Sequence, residues 1–343
     1  MTEFRPSNIL VTGGAGFIGS HFIRYVLGCS ETIKVINLDL LTYAGTKDNL
    51  IGLSDPKRHV FVQGDICDQV LVKKLLREYQ IDTIIHFAAE SHVDRSIIGP
   101  AAFIQTNVNG TFTMLEEARQ FWLDDKRLPA DRHRFHHIST DEVYGTLGLD
   151  DEPFSESTPY APNSPYSASK AASDHLVRAY QHTYGLSTTM TNCSNNYGPF
   201  QHGEKFIPTI IRSCLEGKPI PVYGDGSNIR DWLYVEDHCV AVWRVIQYGH
   251  IGESYNVGGS NNWNNLVIVR MICETLANAL GEEKEKFLQL VQFVKDRPSH
   301  DWRYAINFSK IKNELSWVPT ETFESGIQKT VNWYLRKFKS CHV

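Results

Sequence analysis

Five polar residues near the middle of the chain could do chemistry: Thr140, Asp141 and Glu142 in one run, Tyr166 and Lys170 in a second. A tyrosine and a lysine four apart share one face of a helix, because side chains at i and i+4 lie one above the other. An ammonium beside a phenol favours phenolate, so Tyr166 is expected to take up a proton well below its usual pKa of about 10. A base of that kind removes the proton of an alcohol as hydride leaves the same carbon. The adjacent carboxyls add a second base and an acid, which simple alcohol oxidation does not need. Neighbouring carboxyls can hold opposite protonation states when their environments push their pKa values apart. The set predicts oxidation followed by elimination, with Lys170 tuning Tyr166.

Oxidation needs a hydride acceptor, and the start of the chain supplies a place for one. Ile9-Leu10-Val11 reads as a short buried strand, followed at once by Thr12-Gly-Gly-Ala-Gly-Phe-Ile-Gly-Ser20 and then by helical spacing of apolar residues. Gly13, Gly16 and Gly19 form a strand-turn-helix ladder, with Gly14 supplying the overlapping G-x-G-x-x-G register. Glycines there permit a tight turn and let backbone approach a pyrophosphate at the helix N-terminus. The next strand, Lys34-Val-Ile-Asn-Leu38, ends at Asp39, twenty residues beyond Gly19. An acid at that place accepts hydrogen bonds from ribose hydroxyls and repels a 2′-phosphate. The expected cofactor is therefore NAD rather than NADP.

The elements that must hold these groups recur along the chain. Strands are expected at 8–12, 33–38, 59–63, 83–88 and 134–139, with helices at 17–28, 68–79, 101–120 and 165–184. Near-continuous apolar strands alternating with helices predict an α/β fold, a Rossmann-like, doubly wound parallel sheet covered on both faces. Ligands gather beyond the carboxyl ends of such strands. The motifs fall there: the glycine turn, Asp39, Asp65-Ile66, Ala88-Ala89-Glu90-Ser91-His92 and Ser139-Thr140-Asp141-Glu142. After about residue 190 turn chemistry and prolines increase. A strand and polar turn are expected over 221–230, a helix over 235–248, a strand at 254–258 and helices near 264–280 and 323–338. Residues 1–195, rejoined by 232–258, are read as the Rossmann domain. Residues 196–343 are read mainly as a smaller, interleaved C-terminal substrate lobe.

At 343 residues the chain can bury a substantial core. Its 42% hydrophobic and 21% charged content is that of an ordinary globular protein. A net charge of −5 argues against a nucleic-acid binder, so none is expected as a partner. The seven cysteines are odd in number, scattered and without a C-x-x-C pair, a reduced pattern that predicts a cytoplasmic setting. No run approaches a membrane span, and no membrane association is expected. His136-His137 sits on a strand with its side chains on opposite faces and is read as structural, with no metal site. Asn109-Gly-Thr111 and Asn192-Cys-Ser194 are read as chance matches to glycosylation acceptors.

Together the motifs resemble the extended short-chain dehydrogenase/reductase superfamily and, within it, the nucleoside-diphosphate-sugar 4,6-dehydratases, nearest to the branch that acts on dTDP-glucose. The resemblance runs from about residue 8 to 335. Its segments are Leu41-Thr-Tyr-Ala-Gly45, Phe87-Ala-Ala-Glu-Ser-His-Val-Asp-Arg-Ser96, Ser139-Thr-Asp-Glu-Val-Tyr-Gly145, Asn192-Cys-Ser-Asn-Asn-Tyr-Gly-Pro199, Arg230-Asp-Trp-Leu-Tyr-Val-Glu-Asp237 and Asp296-Arg-Pro298. Related epimerases share the glycine ladder and the tyrosine-lysine pair but usually lack consecutive Asp-Glu. The resemblance implies NAD contacts from Phe17, Ile18, Asp39, Thr42, Asp65, Ile66, Ala88, Ala89, Ser91, Thr106, Tyr166, Lys170 and Asn196. It implies substrate contacts from His92, Thr140, Asn195, Lys205, Phe206, Pro221, Tyr223, Arg230, Asn265, Arg297 and His300. It implies a hydro-lyase of deoxysugar biosynthesis acting on a nucleoside-diphosphate glucose: Tyr166 is the base at carbon 4, Glu142 the base at carbon 5, and protonated Asp141 the acid at carbon 6. A homodimer pairing through helices 101–120 and 165–184 is implied as well. The residues leave the nucleotide base, thymine or uracil, open. A 4-epimerase or a non-catalytic NAD sensor are the other readings, the first opposed by Asp141-Glu142 and the second by Thr140, Tyr166 and Lys170.

Overall fold

Every residue of the run Arg134–Thr140 is buried, as expected of a strand covered on both faces. That strand is the fifth of twelve in a computed structural model that describes residues 3–296 and 300–341. In chain order the strands are β1 Asn8–Thr12, β2 Lys34–Asp39, β3 His59–Gln63, β4 Thr83–His86, β5 Arg134–Thr140, β6 Thr188–Cys193, β7 Asn195–Tyr197, β8 Ile220–Tyr223, β9 Ile229–Tyr234, β10 Ser254–Val257, β11 Asn262–Asn264 and β12 Val291–Val294. Seven form one parallel sheet in the order β10-β6-β5-β4-β1-β2-β3. Strand order reverses at β1, whose neighbours are β2 and β4, so a crevice opens there beyond the carboxyl ends.

Alternate residues of β1 go to opposite faces, the strand's two-residue period. Leu10 packs with Val72, Leu76, Met114 and Trp122 on one side. Ile9 and Val11 pack with Phe22, Val26, Val242 and Ile246 on the other, beneath helices Phe17–Cys29 and Val235–Tyr248. A third core lies beyond the sheet, where Ile207, Ile211, Ile268, Ile272, Phe323 and Val331 join β8 and β9. There β7, β9 and β11 make a three-stranded sheet, and β8 pairs with β12. Helix Phe206–Glu216 in this lobe was not anticipated, because Pro208 reads as punctuation. A proline within the first turn removes an N–H that has no intrahelical partner in any case.

The helix expected at 101–120 is longer and irregular. Helical backbone runs over 100–125, with π-helical turns at Ile104–Gly110 and Gln120–Asp125. Periodicity sees an ordinary helix there because the apolar spacing hardly changes across one widened turn. The widened turn carries Asn107, whose amide oxygen accepts from the Glu90 N–H at 2.8 Å. Its nitrogen donates to the Glu90 carbonyl at 3.0 Å and the Ser169 hydroxyl at 2.8 Å. It thus ties the loop after β4 to helix Pro165–Tyr184. The sequon residue Asn192 is fully buried in β6.

Candidate active site

The glycine turn holds its shape for reasons of contact. Gly13 has φ +70°, and a Cβ there would meet the Ala88 backbone nitrogen at 2.7 Å. A Cβ on Gly19 would stand 2.3 Å from the Gly13 carbonyl oxygen. Helix Phe17–Cys29 begins at Gly16 with no side-chain cap, so its first N–H groups face the crevice without an internal acceptor. Asp39 accepts from the N–H of Ala15 and of Leu41, each at 2.8 Å, and so fastens the turn to β2.

A cleft of about 540 Å³ follows from this turn across the switch point into the smaller lobe. Its first half is lined by Gly13, Gly16, Phe17, Ile18 and Gly19 after β1, Asp39 and Thr42 after β2, and Asp65 and Ile66 after β3. Ala88, Ala89, Ser91 and His92 follow β4, and Thr106 comes from the widened helix turn. Thr140 and Glu142, Tyr166 and Lys170, and Asn195 and Asn196 line its middle. Lys205, Phe206, Pro221, Tyr223, Arg230, Asn265 and His300 line the far end. Arg297 lies outside the described residues. A larger hollow of about 770 Å³ at the amino-terminal edge of the sheet, lined by Arg5, Asp82 and Arg134, holds none of these groups.

Tyr166 and Lys170 sit in the first turns of helix Pro165–Tyr184. Its start is set by Ser164 in a capping box with Ser167 and by Pro165 at the first position. Here the structure corrects the expectation that Lys170 depresses the phenol. Burial pushes Tyr166 well above its ordinary value, Glu142 and Cys193 add to that, and hydrogen bonding with Thr140 opposes it. The Lys170 ammonium donates to the Ile138 carbonyl at 2.8 Å and contacts His137 Nε2 at 3.2 Å. In a dry wall with a carboxylate beside it, the uncharged phenol is favoured.

Asp141 and Glu142 differ in burial. Asp141 is 1% exposed and lies behind the cleft wall rather than in it. Burial, then Glu142, then Asp231, push its carboxyl well above the usual range, against Arg230. Burial and the neighbouring carboxyls thus favour the uncharged acid at Asp141. Glu142 lines the cleft, and its backbone N–H donates to Thr140 Oγ1 at 3.3 Å.

Farther along, Arg230 is held by the carbonyls of Ile229 at 2.7 Å and Asp301 at 2.8 Å, over the Tyr304 ring. Lys205 crosses the cleft to the Ser91 carbonyl at 2.9 Å. Asn195 Oδ1, Trp232 Nε1 and His92 Nδ1 are buried polar atoms without a hydrogen-bond partner in a wall of the cleft. Unpaired groups of this kind suit a polar ligand. Trp232 and Glu204 were missed as lining residues, although Trp232 lies inside the motif Arg230–Asp237. Their side-chain direction depends on β9 and on the loop before Phe206, which no period reports.

A doubly wound sheet, a glycine turn and a tyrosine-lysine helix meeting at one cleft define an extended short-chain dehydrogenase/reductase. Within that class the chain belongs to the GDP-mannose 4,6 dehydratase family, whose model matches residues 10–330. A dTDP-glucose 4,6-dehydratase of Xanthomonas campestris pv. campestris (strain B100) is 56% identical over 329 residues, covering 95% of this chain and 92% of that one. The dTDP-glucose 4,6-dehydratase of Escherichia coli is 53% identical over 338 residues, covering 95% and 93%. Among solved structures, the dTDP-glucose 4,6-dehydratase of Streptomyces venezuelae with NAD bound superposes with TM-score 0.87 at 44% identity, over 97% of this chain and 98% of that one.

Proposed function

We propose that this protein is an NAD-dependent hydro-lyase that converts dTDP-glucose to dTDP-4-keto-6-deoxyglucose and water. The observation that carries the reading is the pair Asp141-Glu142 beside Thr140 and Tyr166, one carboxyl buried where its uncharged form is favoured and the other facing the cleft. The similar enzymes that act on dTDP-glucose, and the related structures with NAD bound, support it. The uncapped helix start, the glycine cradle and Asp39 fit a dinucleotide. NAD bound there supplies a hydride acceptor and donor and a cationic ring near the phenol.

With the cationic ring of bound NAD and the Lys170 ammonium beside it, the Tyr166 phenol would ionise, and the phenolate would take the carbon-4 hydroxyl proton while Thr140 holds that hydroxyl. The resulting ketone acidifies carbon 5, whose proton Glu142 removes. Asp141 gives its proton to the departing carbon-6 hydroxyl, which needs a path from its buried carboxyl to the cleft. Glu142 then returns a proton to carbon 5 as carbon 6 would receive the hydride taken from carbon 4, which leaves the sugar 6-deoxy and the cofactor oxidised. Arg230 and Lys205 supply positive charge toward a diphosphate, and Asn195 an amide for a hydroxyl. Residues 1–195 with 232–258 hold the cofactor, and 196–343 mainly the nucleotide sugar. The exposed Ile98, Ile104 and Phe112 near helix 100–125 support a homodimer, and the free cysteines a cytoplasmic setting.

Incubation with dTDP-glucose, UDP-glucose and GDP-mannose tests the reading, with a 4-keto-6-deoxy product expected from the first. Turnover of UDP-glucose or GDP-mannose in preference would overturn the substrate assignment, and a 4-epimer would overturn the reaction. Released cofactor should be NAD at near one per chain, and NADP would refute the role given to Asp39.

A further inference from the structure

Tyr166, Lys170 and Asp174 follow at successive i+4 positions of one helix, and all three are buried. His137 of β5 stands beside the last two: its Nε2 is 3.2 Å from Lys170 Nζ and 3.2 Å from Asp174 Oδ1. The other Asp174 oxygen accepts from the Ser139 hydroxyl at 2.6 Å, the Tyr160 hydroxyl at 3.0 Å and the Asn192 amide at 3.5 Å. We propose that Asp174 is a positioning residue for the reaction, the fixed counter-charge that keeps Lys170 an ammonium beneath Tyr166. The proposal rests on the dehydrogenation step assigned above.

An unpaired ammonium in a dry interior gives up its proton, because burial penalises the charged form. Lys170 is 4% exposed. Burial draws its pKa down, and Asp174 is the largest influence against that. The titratable groups that face the lysine come from every neighbouring element: Tyr166 and Asp174 on its own helix, Tyr160 before it, His86 on β4, His137 on β5 and Cys193 on β6. Burial holds His86 and His137 far below their ordinary range, so both are neutral. Burial also pushes the Cys193 thiol up to about 12 and raises the phenols of Tyr160 and Tyr166, all three favoured uncharged before cofactor and substrate bind. Burial outweighs the opposing pull of Lys170 and the three donors and raises Asp174 to about 6, so it is mostly ionised at neutral pH. Of this group Asp174 alone is then negative, and its charge answers that of Lys170.

The experiment reads the lysine directly. Holoenzyme carrying lysine labelled with carbon-13 at Cε is titrated by NMR, and the Lys170 resonance is the one missing from Lys170→Met. In Asp174→Asn the lysine should titrate about one to three pH units lower. Asp174→Glu should restore most of the difference, and Tyr160→Phe should give a smaller move in the same direction. With dTDP-glucose, the alkaline limb of the rate profile of Asp174→Asn should move down with the lysine, KM changing little. A merely structural aspartate would lower the rate at all pH values and leave the profile in place. An unmoved lysine in folded Asp174→Asn overturns the proposal. If that variant does not fold, Tyr160→Phe decides, and an unmoved lysine there overturns it. The NMR reading needs no substrate, so a failure of turnover sinks the assigned reaction alone.

Discussion

At the residue scale, the adjacent carboxyls carry the argument because their surroundings differ more than their chemistry. If Glu142 is the carbon-5 base, Glu142→Gln should still reduce bound cofactor on adding substrate. It should lose solvent deuterium uptake at carbon 5, since an amide cannot accept the proton. Asp141→Asn should oxidise substrate and stall at elimination. Each should lose about 10²–10⁴-fold in turnover. Wild-type uptake of deuterium by Glu142→Gln would move the base elsewhere. Tyr166→Phe should be as damaging while NAD stays bound, and a near-normal rate would refute its assignment. The sequence showed these five side chains but not their states. Tyr166 was expected to be acidified by Lys170, whereas burial and Glu142 act the other way.

At the element scale, close approaches matter more than propensity. Gly19 lets helix Phe17–Cys29 start against the Gly13 carbonyl. Gly19→Ala should cost about 1–3 kcal/mol, the range for overpacking, and release most of the cofactor during purification. Retention of a full complement of NAD would show that the turn accommodates a methyl group. Asn107 replaces a strand neighbour for Glu90 by bonding to both its N–H and its carbonyl. Asn107→Ala should therefore cost about 1–3 kcal/mol in urea unfolding, the penalty for leaving buried groups unpaired. A loss under about half a kcal/mol would mean that water replaces the amide. The glycine ladder was legible in the sequence because its residue type is the signal. The widened turn was not, since Asn107 acts through a loop seventeen positions away.

For the whole molecule, the buried histidines set the response to acid. Burial lowers His21 and His133 to about 4 and His238 to about 3, and holds His86, His136 and His137 well below the usual 6.5. Between the folded and unfolded values the unfolded chain binds more protons, so stability is full above about pH 6.5 and falls as pH drops. A histidine held near 4 costs up to about 3 kcal/mol by the time it is charged. The raised carboxyls of Asp82, Glu90, Asp141, Asp174, Asp231 and Glu236 act with the opposite sign, but among the described residues they are fewer than the nine lowered histidines, His59, His92 and His202 included. The urea midpoint should accordingly drop between pH 7.5 and 5. An unchanged midpoint would mean that the histidines keep their ordinary pKa values. No helix among the described residues is long and apolar enough to cross a membrane.

The sequence by itself marked six of the seven strands of the parallel sheet, all but β6, together with the cofactor turn and the candidate reacting side chains. These are written in local patterns: apolar runs of strand length, glycines at fixed offsets, and a tyrosine and lysine one helical turn apart. Tertiary structure alone decided that Asp141 is buried behind the cleft where its uncharged form is favoured, that one His137 nitrogen lies 3.2 Å from both Lys170 and Asp174, and that Arg230 is braced by carbonyls some seventy residues away. Protonation depends on burial and on charges brought close from other elements, and neither has a period along the chain.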